Sequence, residues 1–155
     1  MTYKEYTQAK QKEFSALPIF WAFSDNQFKD ALAKRGIDIK DAPQKIYRLG
    51  SSGGFYLKSD AEIIREYLAK DRDKELHDLM EGDLEFAQEA FEYEMFNHEY
   101  PINWQGDWDV CNCLGDVEYD ESYGGEDYLR ALGYSDAVIG VYFVARAKVR
   151  KAIDW

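Results

Sequence analysis

What most limits the folding choices of this chain is the stretch from Glu75 to Leu129, which carries 17 acidic residues and no lysine or arginine. The other 100 residues hold 13 acids and 19 bases, so the formal charge of −11 is concentrated rather than spread. A one-sign field of this kind repels nucleic acid and acidic membranes and attracts basic surfaces. The acids are interleaved with Phe86, Phe91, Tyr93, Met95, Trp104 and Trp108. With 46% apolar and 16% aromatic residues overall, the chain is too hydrophobic for a disordered acidic tail, and even its acidic part is expected to fold.

A length of 155 residues predicts one domain over residues 1–155, able to bury about two-thirds of its unfolded surface. The longest uncharged apolar runs, Leu17–Phe23 and Ala137–Ala145, are far shorter than the roughly 18 residues a membrane span needs. The polar N-terminus lacks the apolar region of a signal peptide, which predicts a cytoplasmic protein. Cys111 and Cys113 are too close in sequence for an unstrained disulfide, in keeping with a reducing compartment.

Periodicity predicts an α+β fold, mostly helical, with a small antiparallel sheet. Helices are expected over Thr2–Ala16, after a Ser24/Gln27 capping box to Gly36, and from a second capping box at Ser59/Glu62 to about Met80. Further helices are expected over Leu84–His98, over Glu126–Leu132, and from a Ser135 cap to about Ile153. The aromatic run 19–23 reads as a buried strand, and Lys45–Leu49 with Phe55–Lys58 as a hairpin around Gly50–Gly54. Residues 102–114 are expected to be a strand or irregular, and 103–125 to form an acidic, mobile segment.

Three segments carry a family resemblance: Phe20-Trp-Ala-Phe-Ser-Asp-Asn-Gln-Phe28, Arg48-Leu-Gly-Ser-Ser-Gly-Gly-Phe-Tyr-Leu57 and Phe91-Glu-Tyr-Glu-Met-Phe-Asn-His-Glu-Tyr100. Over residues 3–100 the chain resembles a group of short, acidic, uncharacterised proteins of phages and mobile elements in gut-type bacteria. The resemblance implies a genomic habitat and no activity. After Pro101 the sequence looks like an acidic, Trp-containing expansion of that pattern. Small acidic proteins from that habitat often inhibit bacterial defence systems.

Motifs for chemistry are weak. The glycine loop lacks the following helix and the lysine of a phosphate loop, so it reads as a turn. His98-Glu99 begins like a zinc-protease helix, but Ile102 stands where the second histidine belongs. Cys111 and Cys113 with His98 and Asp109 make a four-ligand set whose one-residue Cys spacing is not that of a zinc knuckle; reduced, partly buried cysteines are the expectation. The carboxylate pairs Asp107/Asp109, Asp116/Glu118 and Asp120/Glu121 arise from crowding alone in so acidic a stretch, and their spacing does not fit a calcium loop. No catalytic residue, metal or cofactor is expected.

One geometric feature stands out. Asp78, Glu81, Glu85, Glu89 and Glu92 are spaced three, four, four and three residues apart, so a continuous helix would align them in a single stripe. Gly82 is the point at which that helix can break. The stripe, the aromatic anchors Trp104, Trp108 and Tyr119, and the acids Asp107, Asp109, Asp116, Glu118, Asp120 and Glu121 form the expected partner-binding set. The expected function is a non-enzymatic inhibitor from a phage or mobile element. Its partner would be a basic nucleic-acid-binding protein, a CRISPR effector first and a restriction nuclease second, occupied in the nucleic-acid channel without contact to nucleic acid or membrane. Alternatives are an acidic structural or regulatory phage protein binding a basic partner without mimicry, and a small metal-binding protein or hydrolase.

Overall fold

A computed structural model describes residues 1–100 and 105–153. The fold is α+β, mostly helical with a three-stranded antiparallel sheet. Two compact units divide the chain: residues 10–70, and residues 1–9 with 71–155. Helix α1 (Tyr3–Ser15) contributes its first turns to the second of these and the rest to the first. No helix among the described residues is long and apolar enough to cross a membrane.

The 10–70 unit is built on strands β1 (Phe20–Trp21), β2 (Ile46–Leu49) and β3 (Gly54–Leu57), in the order β1-β3-β2. The hairpin lies where the two β-like runs around the glycine loop put it, with Ile46 opposite Leu57 and Leu49 opposite Gly54. The aromatic run supplies the third strand, Phe20 opposite Phe55. Helix α2 (Asp25–Lys34) starts on the Ser24 cap, which accepts from the Gln27 N–H at 3.2 Å. The Gln27 side chain reaches back to the Phe23 N–H at 2.8 Å. A short helix α3 (Ala42–Lys45) leads into β2. Phe20, Leu32, Ala42 and Ile46 form the core, with Phe28 tilted on Phe55 at 4.8 Å.

Helix α4 (Ala61–Ala69) differs from expectation twice. It follows a 3-10 turn at Lys58–Asp60, and no side chain caps it, so Ser59 is not the N-cap. It also stops at Lys70 rather than running to Met80. The Asp71 carboxylate accepts from the Lys74 N–H at 3.0 Å and starts a new helix, α5 (Arg72–Gly82). A local Asp cap here outcompetes continuation through a charged segment with little apolar stripe.

In the other unit α6 (Leu84–Asn97) and α9 (Asp136–Ala152) form the central pair. Asp83 caps α6 with bonds from the Glu85 and Phe86 amides. Phe86, Ala87, Ala90, Phe91 and Met95 face Val138, Tyr142, Ala145 and Val149 in a single core, with Phe91 edge-on to Tyr142 at 5.1 Å. Burying side chains of this size contributes about 1.5–3 kcal/mol each. Helix α8 (Gly125–Ala131) packs so close that a Cβ at Gly125 would lie 2.3 Å from the Tyr142 ring, which fixes glycine there.

Residues 106–113 are helical, α7 (Gly106–Cys113), rather than strand or irregular. The reason is tertiary. Val110, Cys111 and Leu114 are all buried, and the two early acids suit a helix N-terminus. Eight residues give too little periodicity for that to be read locally. Between α7 and α8 the acidic segment 115–124 is irregular, and side chains pin it at several points.

Candidate functional site

The helical stripe does not exist as a continuous surface. Gly82 ends α5, and Asp83 has an extended backbone (φ −146°, ψ 100°), so Asp78 and Glu81 lie on a different helix from Glu85, Glu89 and Glu92. Their charges are also engaged. Asp78 accepts from Lys74 at 2.6 Å, which holds its carboxyl below the usual range; this is an i,i+4 lysine lying just outside the base-free stretch. Glu81 accepts from the Ser135 N–H at 2.7 Å and Glu89 from the Lys4 N–H at 3.3 Å. Glu92 forms a 2.9 Å ion pair with Lys148 of α9 without hydrogen-bond alignment. Of the five, Glu85 is the exposed one with no carboxylate bond of this kind.

The loop half of the expected set does converge. Asp107, Trp108, Tyr119, Asp120 and Glu121 line a small polar cleft of about 60 Å³, together with Gln105, Tyr123 and Tyr128. The Trp108 indole donates to the Val117 carbonyl at 2.8 Å and stands edge-on to Tyr119 at 5.8 Å. Asp120-Glu-Ser-Tyr123 is a turn closed from the Tyr123 N–H, and the Asp120 carboxylate accepts from both the amide and the hydroxyl of Ser122. Those bonds hold the Asp120 carboxyl below the usual range. An Asp two residues before a Ser favours this turn. The Tyr128 hydroxyl donates to the Asp120 carbonyl at 2.7 Å and accepts from its N–H at 3.1 Å. Asp107 accepts from the buried Tyr142 hydroxyl, so one of its oxygens serves the core. Asp116 and Glu118 are exposed and, like Asp109, do not line the cleft; Trp104 is outside the described residues.

A second cluster forms where α6 ends. Glu94 and His98 are one turn apart, and Cys113 closes α7. His98 Nε2 lies 3.0 Å from Cys113 Sγ and 3.4 Å from Glu94 Oε2. The Tyr3 hydroxyl donates to the other Glu94 oxygen at 2.7 Å. His98 is held by the way α6 stops. The Tyr100 N–H bonds the Met95 carbonyl and the Glu99 N–H the Phe96 carbonyl, a Schellman closure that puts Glu99 at φ 55°. A non-glycine residue there costs about 1–2 kcal/mol.

This differs from the four-ligand set weighed in the sequence. Cys111 is buried in the core, Cys113 lies beside His98, and Glu94 joins them in place of Cys111 and Asp109. The available signal was Glu94-x-x-x-His98 on one helix face. Glu94, His98 and Cys113 do not by themselves form a catalytic triad. Glu94 and Cys113 meet the same imidazole nitrogen, whereas a triad orients the base through its other nitrogen. Burial, then the Glu94 charge, push the Cys113 thiol up to about 12.

A larger groove of about 760 Å³ lies in the 10–70 unit between the glycine loop, Phe23, Ile39 and Arg48, and contains none of the expected site residues.

The family of unknown function DUF7659 matches residues 2–141. The chain belongs to that family. No curated protein and no solved structure matches the chain. The DUF7659 match runs past the 3–100 limit of the resemblance and takes in α7, the acidic loop and α8, so the cleft and the Glu94 cluster both fall inside the family's domain.

Proposed function

We propose that this DUF7659 protein is a non-enzymatic binder of a basic protein surface, and that the acidic-aromatic cleft is its recognition element. The observation that supports this is the convergence of Asp107, Trp108, Tyr119, Asp120 and Glu121 on one small concavity. Carboxylates beside exposed aromatic rings suit a lysine or arginine side chain, through charge and cation–π attraction together. Tyr119 and Tyr123 are 41% and 43% exposed there, so each has ring surface to offer a partner. Exposed Asp116, Glu118 and Glu121 supply the steering field around it.

In its specific form the proposal is an inhibitor encoded by a phage or mobile element and acting in the cytoplasm of a bacterial host. It would occupy the nucleic-acid channel of a CRISPR effector or, second, a restriction nuclease. The test is inhibition of purified effectors with and without preloaded nucleic acid. Channel occupancy predicts competition with nucleic acid and steep weakening with salt. Salt-sensitive binding that nucleic acid does not displace would favour the structural or regulatory reading instead. Micromolar binding of DNA by the isolated chain at about 50 mM salt would overturn mimicry.

A further inference from the structure

We propose that Glu94, His98 and Cys113 bind a single zinc-type transition-metal cation, with Tyr3 holding the carboxylate from behind. Four observations carry this. The three ligand atoms lie within 4.8 Å of one another, close enough to share one cation. Imidazole nitrogen, thiolate sulfur and carboxylate oxygen are the donor types zinc takes, and the sulfur argues against calcium or magnesium. With zinc–ligand bonds of about 2.0–2.3 Å, tetrahedral ligand atoms stand roughly 3.3–3.7 Å apart. The 3.4 Å between His98 and Glu94 lies within that range, and the 3.0 Å between His98 and Cys113 needs only a small outward adjustment.

The fourth observation is electrostatic. Glu94 is the buried charged side chain among the described residues, 6% exposed. Its partners are a phenol, a thiol and the His98 imidazole, which offers a counter-charge only when protonated, and no lysine or arginine forms an ion pair with it among the described residues. A buried carboxylate is costly without a counter-charge. A divalent cation held by Glu94, a Cys113 thiolate and neutral His98 balances it, the thiol proton leaving to solvent as the metal binds. The Tyr3 hydroxyl bond to the second Glu94 oxygen is the outer-sphere contact that orients such a ligand. With these three ligands from the described residues, the fourth position falls to water. This replaces the sequence expectation of no metal, and it is independent of the cleft.

The test is titration of the full, reduced, metal-free chain with cobalt(II), then zinc. One equivalent of cobalt is expected to produce a thiolate-to-cobalt charge-transfer band that stoichiometric zinc removes. Cys113→Ser should abolish the band, and Cys111→Ala should keep it. Tyr3→Phe should weaken zinc binding about 10–100-fold, the range for lost outer-sphere contacts. Zinc should raise the melting temperature of the wild type and not of Cys113→Ser. If Cys113→Ser does not fold, His98→Gln takes its place, again with loss of the band expected. No band with the wild type, or a band that survives removal of Cys113 or His98, would overturn the site.

Discussion

The acids from Asp78 to Glu92 on α5 and α6 and the acids of the 115–124 loop belong to one base-free stretch, yet they meet different fates. On the helices, Asp78, Glu81, Glu89 and Glu92 each find a donor: Lys74, the Ser135 amide, the Lys4 amide and Lys148. In the loop, Asp120 is bonded locally while Asp116, Glu118 and Glu121 remain exposed. Spacing along one element therefore overstates free charge, because the neutralising groups arrive from other elements.

The largest test is alkaline unfolding, since the end of α6 and the cleft on α7 beside the loop each set a carboxylate against a buried phenol: Glu94 against Tyr3 and Asp107 against Tyr142. Burial first, and then those carboxylates, raise both phenols above their ordinary value of about 10. A raised native pKa gives stability fully present below about pH 10 and lost as pH climbs beyond it. Denaturation midpoints should fall from about pH 9 to pH 11, with the tyrosinate absorbance of these rings appearing only on unfolding. Tyrosinate signal from all rings in the folded chain would contradict the burial.

Next is partner affinity. Asp120→Asn with Glu121→Gln should weaken binding well over tenfold, since breaking close interfacial charge pairs costs about 2–5 kcal/mol. Glu85→Gln, Glu89→Gln and Glu92→Gln combined should change it by less than about threefold, because charges outside the contact act only through the screened field. The reverse ranking would return the binding role to the helices.

Trp108→Ala should cost about 3 kcal/mol, the low end for removing an aromatic side chain that is only half-buried, measured by urea unfolding. Glu99→Gly should stabilise by up to about 1 kcal/mol, because glycine accepts the left-handed backbone at the end of α6. Glu92→Gln should cost less than about 1 kcal/mol in the same assay, the ordinary worth of a partly exposed pair.

Much of the fold was legible in the sequence. Long amphipathic patterns announced α6 and α9, and the glycine loop announced the hairpin. Ser24 and Ser135 marked helix starts because their hydroxyls cap locally. What failed was set by distant packing. Helix α7 depends on burying Val110, Cys111 and Leu114, and the α4–α5 break on Asp71 prevailing over a weak stripe. Glu94 looked like one acid among many; only the fold buries it beside Tyr3 and brings Cys113 to His98. The loop anchors were legible as composition, and their convergence was not.

The Tyr128 hydroxyl closes Asp120 from both sides, taking its N–H and giving to its carbonyl, as a neighbouring strand would. The ring that carries it is buried on α8, so the Asp120 amide cannot meet solvent until that phenol moves. In hydrogen–deuterium exchange, this amide should be slower than loop amides held only by exposed bonds, such as that of Ser122, and tied to openings of α8 rather than to the fluctuations of its own turn.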